Sequence, residues 1–578
     1  MSSSLFKTKS IEQLVVDVER GGKALKRSLS AWDLTLLGIG AIIGTGIFVL
    51  TGTAAANQAG PAIMLSYLAA GIACGFAAMC YAEFASMVPI AGSAYTYAYV
   101  SLGEIFAWLI GWDLVLEYAV GSMTVAIGWS GYMQRLLAGA GIYLPTWMTA
   151  APSAATPGTL INLPAVIIVL VMMVLLVIGV RESARFNAVM VGVKGAAVLF
   201  FIAVGAAWVR PENWTPFAPY GTSGVMAAAA VVFFAYIGFD AVSTTAEEAK
   251  NPQRDLPIGI IASLVICTAL YLSVAAVLSG IVPVTQYRSN AAVLPGVPAA
   301  EPAAITQFLN APVAFALVLI EQDWASYLVS AGAVAGITSV LLVLLLSQPR
   351  IFFAMSRDGL LPPAASKVHP RFGTPYITTI ITAVIVAVVA GFTQIQVVGE
   401  MTSIGTLFAF VVVCAAVLIL RVKRPDAARP FRVAGGPVVP VLGILSCLWL
   451  MLSLPVITWA RFLVWLDIGI FVYWFYGRRN SPLADRAAES TRSAAASVAD
   501  LVTMVGALVL FNGLCMTLLA YLTEFGITTE ITAKWNEIGV TPESADLVGL
   551  RLLGVGAVVL LIGLVTARVS ARRAQAGV

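Results

Sequence analysis

Charged residues are scarce in this sequence: Asp, Glu, Lys and Arg make up 11% of its 578 residues, whereas 60% are hydrophobic. Soluble proteins usually carry about 25% charged residues. This shortage excludes a water-soluble globular protein and predicts an all-α integral membrane protein with many spans. The net charge of +4 is no argument for nucleic-acid binding, because the positive residues are distributed by membrane side.

Histidine and the motifs of several enzyme and pump classes are also missing. The one histidine, His369, lies in a polar stretch, which excludes a histidine proton relay inside the membrane. All six cysteines fall within apolar segments and are expected to be buried thiols, not disulfides or metal ligands. The chain has no Gly-x-x-x-x-Gly-Lys-Ser/Thr loop for an ATP-driven pump and no Gly-x-Ser-x-Gly nucleophile for a hydrolase. We therefore expect a protein that is not an enzyme and binds no cofactor or metal.

Apolar segments of spanning length recur along almost the whole chain. The third is unusually long, and the eleventh and twelfth are separated by a very short turn. The long stretch at about 282–323, before the eighth, is expected to carry short interfacial helices. The fourteen predicted spans lie at about 33–55, 62–88, 105–135, 163–180, 187–208, 225–246, 257–281, 324–347, 376–392, 400–420, 439–456, 461–477, 500–523 and 547–568.

The distribution of positive charge supports this count. An even number of spans places both termini on one side, and 26 of the 33 Lys and Arg residues then fall on that side, against six on the other. Because positive residues concentrate in cytoplasmic segments, both termini are predicted to be cytoplasmic, in a multi-pass plasma-membrane protein. The predicted divisions are a cytoplasmic segment 1–31, a core 32–420 with halves 32–208 and 225–420, spans eleven and twelve at 421–479, a linker 480–499, an extra pair 500–568 and a tail 569–578.

The first span is interrupted where a helix should be most regular. Gly44, Thr45 and Gly46 lie at its middle, and glycine costs a helix interior about 1 kcal/mol relative to alanine. In lipid, free backbone groups are tolerated only where they line a cavity or bind something. The alternative is close helix packing through small residues.

The sixth span carries a second interruption, at Gly238 and Asp240. It is the first of the second five spans and enters the membrane with the opposite polarity to span one. Two broken helices at equivalent places of two inverted halves indicate a substrate site at the membrane midplane. Asp240 is expected to hold the unwound segment by accepting backbone amides.

Helix dipoles suggest what this site would bind. The amides near Thr45, Gly46 and Ile47 begin the outer half of span one and suit a carboxylate. The carbonyls of Ile42, Ile43 and the 234–237 segment end two half-helices and suit an ammonium. These carbonyls include those of Phe234, Ala235, Tyr236 and Ile237, next to Gly238. A ligand with both groups is an α-amino acid, and its side chain stays undefined by this reasoning.

Several stretches resemble the amino acid–polyamine–organocation superfamily and, within it, the cationic amino acid transporter (CAT) family as found in bacteria. The matching stretches are 38–48, 111–120, 182–187, 233–258, 349–351 and 354–361. The resemblance implies a LeuT-like fold of two inverted five-helix repeats. It also implies amino acid uptake, commonly proton-coupled in bacterial members. Fourteen-span animal members fit the extra pair of spans at the end of this chain.

Two ionisable residues lie deep in predicted spans. Lys194 is about eight residues, roughly 12 Å, from its span end, too deep for its ammonium to reach water. We expect Lys194 to contact the Gly44 region and to load and release a proton. The family resemblance implies that a matching lysine occupies the place where sodium-coupled relatives hold a sodium ion. The alternative is a structural lysine bonded permanently to carbonyls. Glu117, with Asp113 one turn before it, is predicted in the substrate or proton pathway, or as a hydrogen-bonded brace.

Four more residues are assigned from the superfamily pattern and from span eight. Phe234 aligns with the aromatic gate that closes over substrate, although plain packing is the alternative. Ile337, Thr338 and Ser339 would approach the substrate side chain. Span eight has no acidic residue past Asp323, and a buried cationic side chain without a counter-charge is costly. Unless Glu117 or water serves such a charge, neutral amino acids are favoured.

Acidic residues near the span ends suggest a gate. Glu83, together with Glu247 and Glu248, is expected to form gating ion pairs with Lys250 or Arg254. The expected partners are the amino acid and membrane lipid, with no nucleic acid. A monomer is expected, and binding of a small accessory membrane protein stays open.

The function predicted from the sequence is alternating-access transport of L-amino acids, driven by proton symport. Facilitated transport of cationic amino acids and exchange of one amino acid for another remain alternatives within transport. An amino acid sensor built on the same site is the alternative from another class.

Overall fold

The computed structural model describes residues 29–87, 93–152, 158–179, 184–289, 294 and 297–481, with scattered positions before 29 and after 501. The regular secondary structure in this part of the chain is helical, apart from an isolated parallel bridge between Leu29 and Ala249. The helices are α1 Ala31–Ile42, α2 Thr51–Ala54, α3 Ile63–Met87, α4 Ser93–Ser101, α5 Glu104–Gly139, α6 Leu163–Ile178, α7 Ala184–Ala206, α8 Gly221–Val232, α9 Pro252–Ile281, α10 Pro302–Asn310, α11 Pro312–Leu319, α12 Asp323–Arg357, α13 Tyr376–Phe392, α14 Ile395–Lys423, α15 Val438–Leu452, α16 Val456–Val472 and α17 Arg478–Asn480.

Each of the first twelve predicted spans contains one of these helices. Seven helical stretches are long and apolar enough to cross a membrane, and five shorter apolar helices accompany them among the described residues. The long third span is confirmed as α5, with 36 residues, or about 54 Å at 1.5 Å per residue. Of the predicted span 500–523, the structure describes 502–503, 505–506, 508–515 and 517, all of them helical, whereas the predicted span 547–568 lies largely outside the described residues.

The chain divides into two compact units. One comprises Leu5–Leu454, with helices α1 to α15; the other comprises Met1–Ser4 and Pro455–Val578. In the second unit, α16 continues through the π-helix Tyr473–Gly477 into α17. The substrate site predicted from the sequence falls within the first unit.

The helices of the first unit begin with ordinary capping chemistry. Ser30 caps α1 through a reciprocal pair of bonds: its hydroxyl accepts from the Asp33 amide at 3.3 Å, and its amide donates to the Asp33 carboxylate at 2.9 Å. Proline occupies the first turn of α9, α10 and α11, where its missing N–H leaves no helical bond unmade. The predicted short helices of the 282–323 stretch are confirmed as α10 and α11.

The centre of this unit is formed by its longest helices. Helix α5 packs against α12 and α14, and α9 packs against α1 and α3. Several of the largest buried side chains are tyrosines, which carry a hydroxyl that needs a partner once it leaves water. The hydroxyls of Tyr67, Tyr132 and Tyr271 contact backbone carbonyls around the helix interruptions, whereas the Tyr99 hydroxyl donates to the Glu104 carboxylate.

Candidate functional site

The first interruption lies at Ile43 and Gly44. Helix α1 ends at Ile42, and Ile43 is extended, with φ −73° and ψ 105°. The chain becomes helical again as the π-helix Gly46–Leu50, which leads into α2. The break predicted from the two glycines is confirmed.

The second interruption lies at Ile237 and Gly238. Helix α8 gives way to a 3₁₀ turn, Phe233–Tyr236, after which Ile237 is extended at ψ 133°. Gly238 has φ +119°, a conformation that L side chains rarely adopt. Its amide donates to the Asp240 carboxylate at 3.2 Å, the role predicted for Asp240. The second predicted break is confirmed as well.

The two breaks lie against each other, and glycine permits this contact. A Cβ atom on Gly46 would lie 2.3 Å from the Cα of Ala235, and one on Gly238 would lie 2.8 Å from the carbonyl carbon of Ala41. A side chain at either position would force the two broken segments apart.

A tyrosine that the sequence reasoning missed joins the two breaks. The hydroxyl of Tyr271, on α9, lies 2.9 Å from the carbonyl oxygen of Ile42 and 2.8 Å from that of Ala235, and the two carbonyls share its single proton. Both carbonyls are freed by the breaks. A tyrosine in the middle of an otherwise apolar helix was the signal available, since its hydroxyl has to be satisfied in the membrane.

A cavity with an empty volume of about 640 Å³ opens beside the breaks. Its wall combines backbone at both breaks with a mostly apolar surface from α5 and α12. The lining residues are Ala41, Ile42, Gly44, Thr45, Gly46, Glu117, Tyr118, Gly121, Val125, Phe234, Ile237, Gly238, Asp240, Val340, Val343, Leu344, Ser347 and Thr402.

Eight of the fourteen residues predicted to bind substrate line this cavity, and the other six do not. The eight are Ile42, Gly44, Thr45, Gly46, Glu117, Phe234, Ile237 and Gly238. Ile43 and Ile47 are fully buried, Ala235 packs on Gly46, and the Tyr236 hydroxyl donates to the Tyr67 carbonyl at 2.8 Å. The eight residues come from three separate parts of the sequence, and the whole lining comes from five.

The contribution of α12 differs from the prediction. Ile337 is fully buried, and the Thr338 hydroxyl accepts from the Trp129 indole at 2.9 Å and donates to the Val334 carbonyl at 2.6 Å. The cavity wall on α12 begins at Val340, almost one turn later. Neither Ile337 nor Thr338 lines the cavity.

Lys194 lies behind the first break and is fully buried. Its ammonium donates to the carbonyl of Gly40, four residues before Gly44, and to the Ser339 hydroxyl at 3.3 Å. Gly336 makes room for the lysine stem, since a Cβ at Gly336 would lie 2.7 Å from that of Lys194. Lys194 therefore couples helix α12 to the end of α1 and does not line the cavity.

Two polar side chains in the cavity wall have no hydrogen-bond partner among the described residues. These are the hydroxyl of Thr45 and the carboxyl group of Glu117, although both residues are buried. The carboxyl group of Asp113, one turn from Glu117 on α5, is likewise buried without such a partner. Because buried polar groups are normally satisfied, a ligand, a proton or water is the expected complement of Thr45 and Glu117.

The prediction that Glu83 forms an ion pair with Lys250 or Arg254 is wrong. Glu83 pairs with Arg421 through two bonds, of 2.5 and 3.0 Å, and its carboxylate lies 3.6 Å from the Arg429 guanidinium. Lys250 and Arg254 are not its partners. The pair is nearly buried and joins the end of α3 to the end of α14.

Comparison with known proteins assigns the family. The model of the amino acid permease family matches residues 29–477. The chain is 49% identical to the branched-chain amino acid permease BcaP of Bacillus subtilis over 484 residues, 84% of this chain and 100% of that protein. It is 48% identical to the methylthioribose transporter of the same bacterium over 481 residues, 83% of this chain and 99% of that one.

A more distant relative is the vacuolar cationic amino acid transporter 4 of Arabidopsis thaliana. It is 38% identical over 430 residues, 73% of this chain and 68% of that protein. Together with the apolar helices, these matches make the chain a multi-pass membrane protein related to transporters and not to enzymes. The chain belongs to the amino acid permease family.

Proposed function

We propose that this protein is a secondary active transporter that carries L-amino acids across the plasma membrane by alternating access, coupled to protons. The proposal includes a LeuT-like core of two inverted five-helix repeats, fourteen spans in total and cytoplasmic termini. The positive-charge distribution and the two interrupted helices support this arrangement.

The observation that carries the proposal is the meeting of two broken helices at one cavity. The first amides of the segment after Gly44 have no partner inside their own helix and can hold a carboxylate. The Thr45 hydroxyl, unpartnered among the described residues, lies at the same place. Since Tyr271 already donates to the Ile42 and Ala235 carbonyls, the Ile237 carbonyl and the Glu117 carboxyl are the better acceptors for an ammonium.

The rest of the cavity suits a neutral, branched side chain. Val125, Val340, Val343 and Leu344 form an apolar wall opposite the breaks. Burial of an aliphatic side chain against such a wall contributes about 1.5–3 kcal/mol. The similarity to BcaP points the same way, and we propose leucine, isoleucine and valine as substrates.

Proton coupling is proposed to run through Lys194. Its ammonium bonds to the end of α1 and to α12, so its protonation state can bias how these two helices sit against each other. Loss of the proton would weaken the bond to the Gly40 carbonyl, because a neutral amine is a poorer donor than an ammonium. Substrate binding at the adjacent break and proton binding at Lys194 are then linked through the same short stretch of backbone.

A second candidate is transport of cationic amino acids, by facilitated transport or by exchange. Glu117 and Asp240 both line the cavity, and the Glu117 carboxyl group has no hydrogen-bond partner within the described residues. An arginine or lysine side chain could pair with it. The similarity to a cationic amino acid transporter favours keeping this candidate, and an amino acid sensor is the candidate from another class.

The test is uptake of labelled leucine, arginine and methylthioribose into proteoliposomes, with and without an inward proton gradient. The proposal expects gradient-driven leucine uptake that Lys194→Ala loses and that Lys367→Ala, a change at an exposed lysine, retains. Arginine uptake indifferent to the gradient would favour the cationic candidate. Methylthioribose uptake without amino acid uptake would refute the proposed substrate class, and leucine binding without flux would favour the sensor.

A further inference from the structure

A second concave site lies away from the cavity, on the outside of α9. It is an open groove of about 1150 Å³ between the first four turns of α9 and the loop that follows α14. Helix α9 supplies most of the wall, and the loop supplies Pro430 and Phe431. The lining residues from α9 are Gln253, Arg254, Pro257, Ile258, Ile261, Ala262 and Val265.

The loop side of the groove is held firmly in place by the end of α3. Glu83 accepts from the Val433 amide at 2.9 Å while it pairs with Arg421, and Ser86 accepts from the Phe431 amide at 3.3 Å. Glu83 is 1% exposed, so this is a buried, charge-assisted clamp on the loop. The groove is therefore preformed and does not depend on the placement of a free loop.

The α9 side of the groove is apolar and exposed on the protein surface. Ile258 is 41% exposed and Val265 is 62% exposed, on a helix long and apolar enough to span the membrane. From Pro257 to Val265 the apolar surface extends about 12 Å along the helix at 1.5 Å per residue. A surface of this kind suits a hydrocarbon chain.

The polar end of the groove is positively charged. Arg254 is exposed and lines the groove, and its guanidinium has no ion pair or side-chain hydrogen bond within the described residues. Lys250, also exposed, lies one turn earlier. The nearest carboxylate along the helix, Asp255, is buried, accepts from the Asn251 amide at 3.1 Å and does not line the groove. An anionic group at Arg254 would therefore meet no opposing acidic residue of the groove wall.

We propose that this groove binds one anionic phospholipid, with its phosphate at Arg254 and one acyl chain along Pro257, Ile261 and Val265. A guanidinium at the polar end of an apolar, lipid-facing groove matches a molecule with an anionic head and a hydrocarbon tail. The bound lipid would rest on both α9 and the clamped loop, and so would join α9 to the ends of α3 and α14.

The first test measures which lipid the protein retains. The purified full-length protein is exposed to equal amounts of phosphatidylglycerol and phosphatidylcholine in detergent, and bound lipid is counted by native mass spectrometry. The proposal expects preferential retention of phosphatidylglycerol, which Arg254→Gln reduces roughly fivefold, the effect of one basic residue at an anionic membrane surface. Arg424→Gln, a change at an exposed arginine outside the groove, should leave the preference unchanged.

A second pair of variants tests the acyl chain. Ala262→Trp fills the groove, whereas Ala269→Trp places the same side chain on an exposed position of the same helix, outside the groove. The proposal expects only the first variant to lose retained phosphatidylglycerol. Equal retention of the two lipids by the unmodified protein would overturn the proposal, as would equal effects within either pair of variants.

Discussion

Gly46→Ala tests whether the contact between the two broken helices is required for transport. The added Cβ would lie 2.3 Å from the Ala235 Cα and 2.4 Å from its Cβ. The two segments would have to move apart by about 1 Å to reach ordinary van der Waals distance. Overpacking of a close contact costs about 1–3 kcal/mol.

The cost falls on the substrate site because the displaced backbone carries its amides and carbonyls. If the strain appears in the substrate-bound state, leucine affinity drops by about five- to 150-fold. The measurement is leucine binding and gradient-driven uptake, with thermal unfolding in detergent to confirm that the variant folds. Gly75→Ala is the matched control, since nothing lies within 4 Å of its added Cβ and the change favours a helix.

A compensating substitution sharpens this prediction. Ala235→Gly in the Gly46→Ala background removes the contact with the Ala235 Cβ but leaves the backbone contacts, at 2.3 Å to Cα and 3.0 Å to the amide nitrogen. We expect only partial recovery of uptake. If the Gly46→Ala variant binds and takes up leucine as well as the unmodified protein does, the close contact between the two breaks is not required for substrate binding or transport.

The other predictions concern buried polar groups. Tyr271→Phe removes the hydroxyl whose single proton is shared by both breaks and should lower the free energy of unfolding by about 1 kcal/mol, measured as a lower unfolding temperature with weaker leucine binding. Glu83→Gln should lower the free energy of unfolding by about 3 kcal/mol, because it leaves the nearly buried Arg421 without its ion-pair partner. Asp323→Asn is the control: the Asp323 side chain, which pairs with Arg135, is 62% exposed, and its loss should change the free energy of unfolding by less than about 1 kcal/mol. Asp113→Asn should leave the free energy of unfolding unchanged or raise it. The Asp113 carboxyl has no hydrogen-bond partner among the described residues, and a charged group without a partner is costly to bury. A large loss of stability would show that the carboxyl has a partner.

The breaks could be predicted from the sequence because their cause is local. Gly44 and Gly46 disfavour a helix by themselves, and the Gly238–Asp240 pair does the same in span six. The burial of Lys194 was also predictable, because the depth of a residue in a span follows from its position along the sequence. These features depend on a few neighbouring residues and on the thickness of the membrane.

The partners of buried groups could not be predicted in the same way. Glu83 and Arg421 are 338 residues apart, and nothing in their local sequence distinguishes Arg421 from Arg254 as the partner. The face of α12 was misjudged for a related reason. A helix that is apolar all round gives no periodicity from which to tell the cavity side, where Val340 lies, from the packed side, where Ile337 lies.

The pattern of satisfied and unsatisfied groups explains how one backbone can be both stable and able to bind. On the side that packs against the rest of the bundle, tyrosine hydroxyls already contact carbonyls at and after the first break: Tyr271 at Ile42, Tyr67 at Gly46 and Tyr132 at Phe48. On the cavity side, Thr45 and Glu117 are left without a hydrogen-bond partner in the described residues. Because each unpaired buried polar group costs about 1–3 kcal/mol, the cavity side is the less stable one until it is filled. A ligand that brings a carboxylate to Thr45 and an ammonium to Glu117 removes that cost, whereas a ligand with neither group leaves it in place.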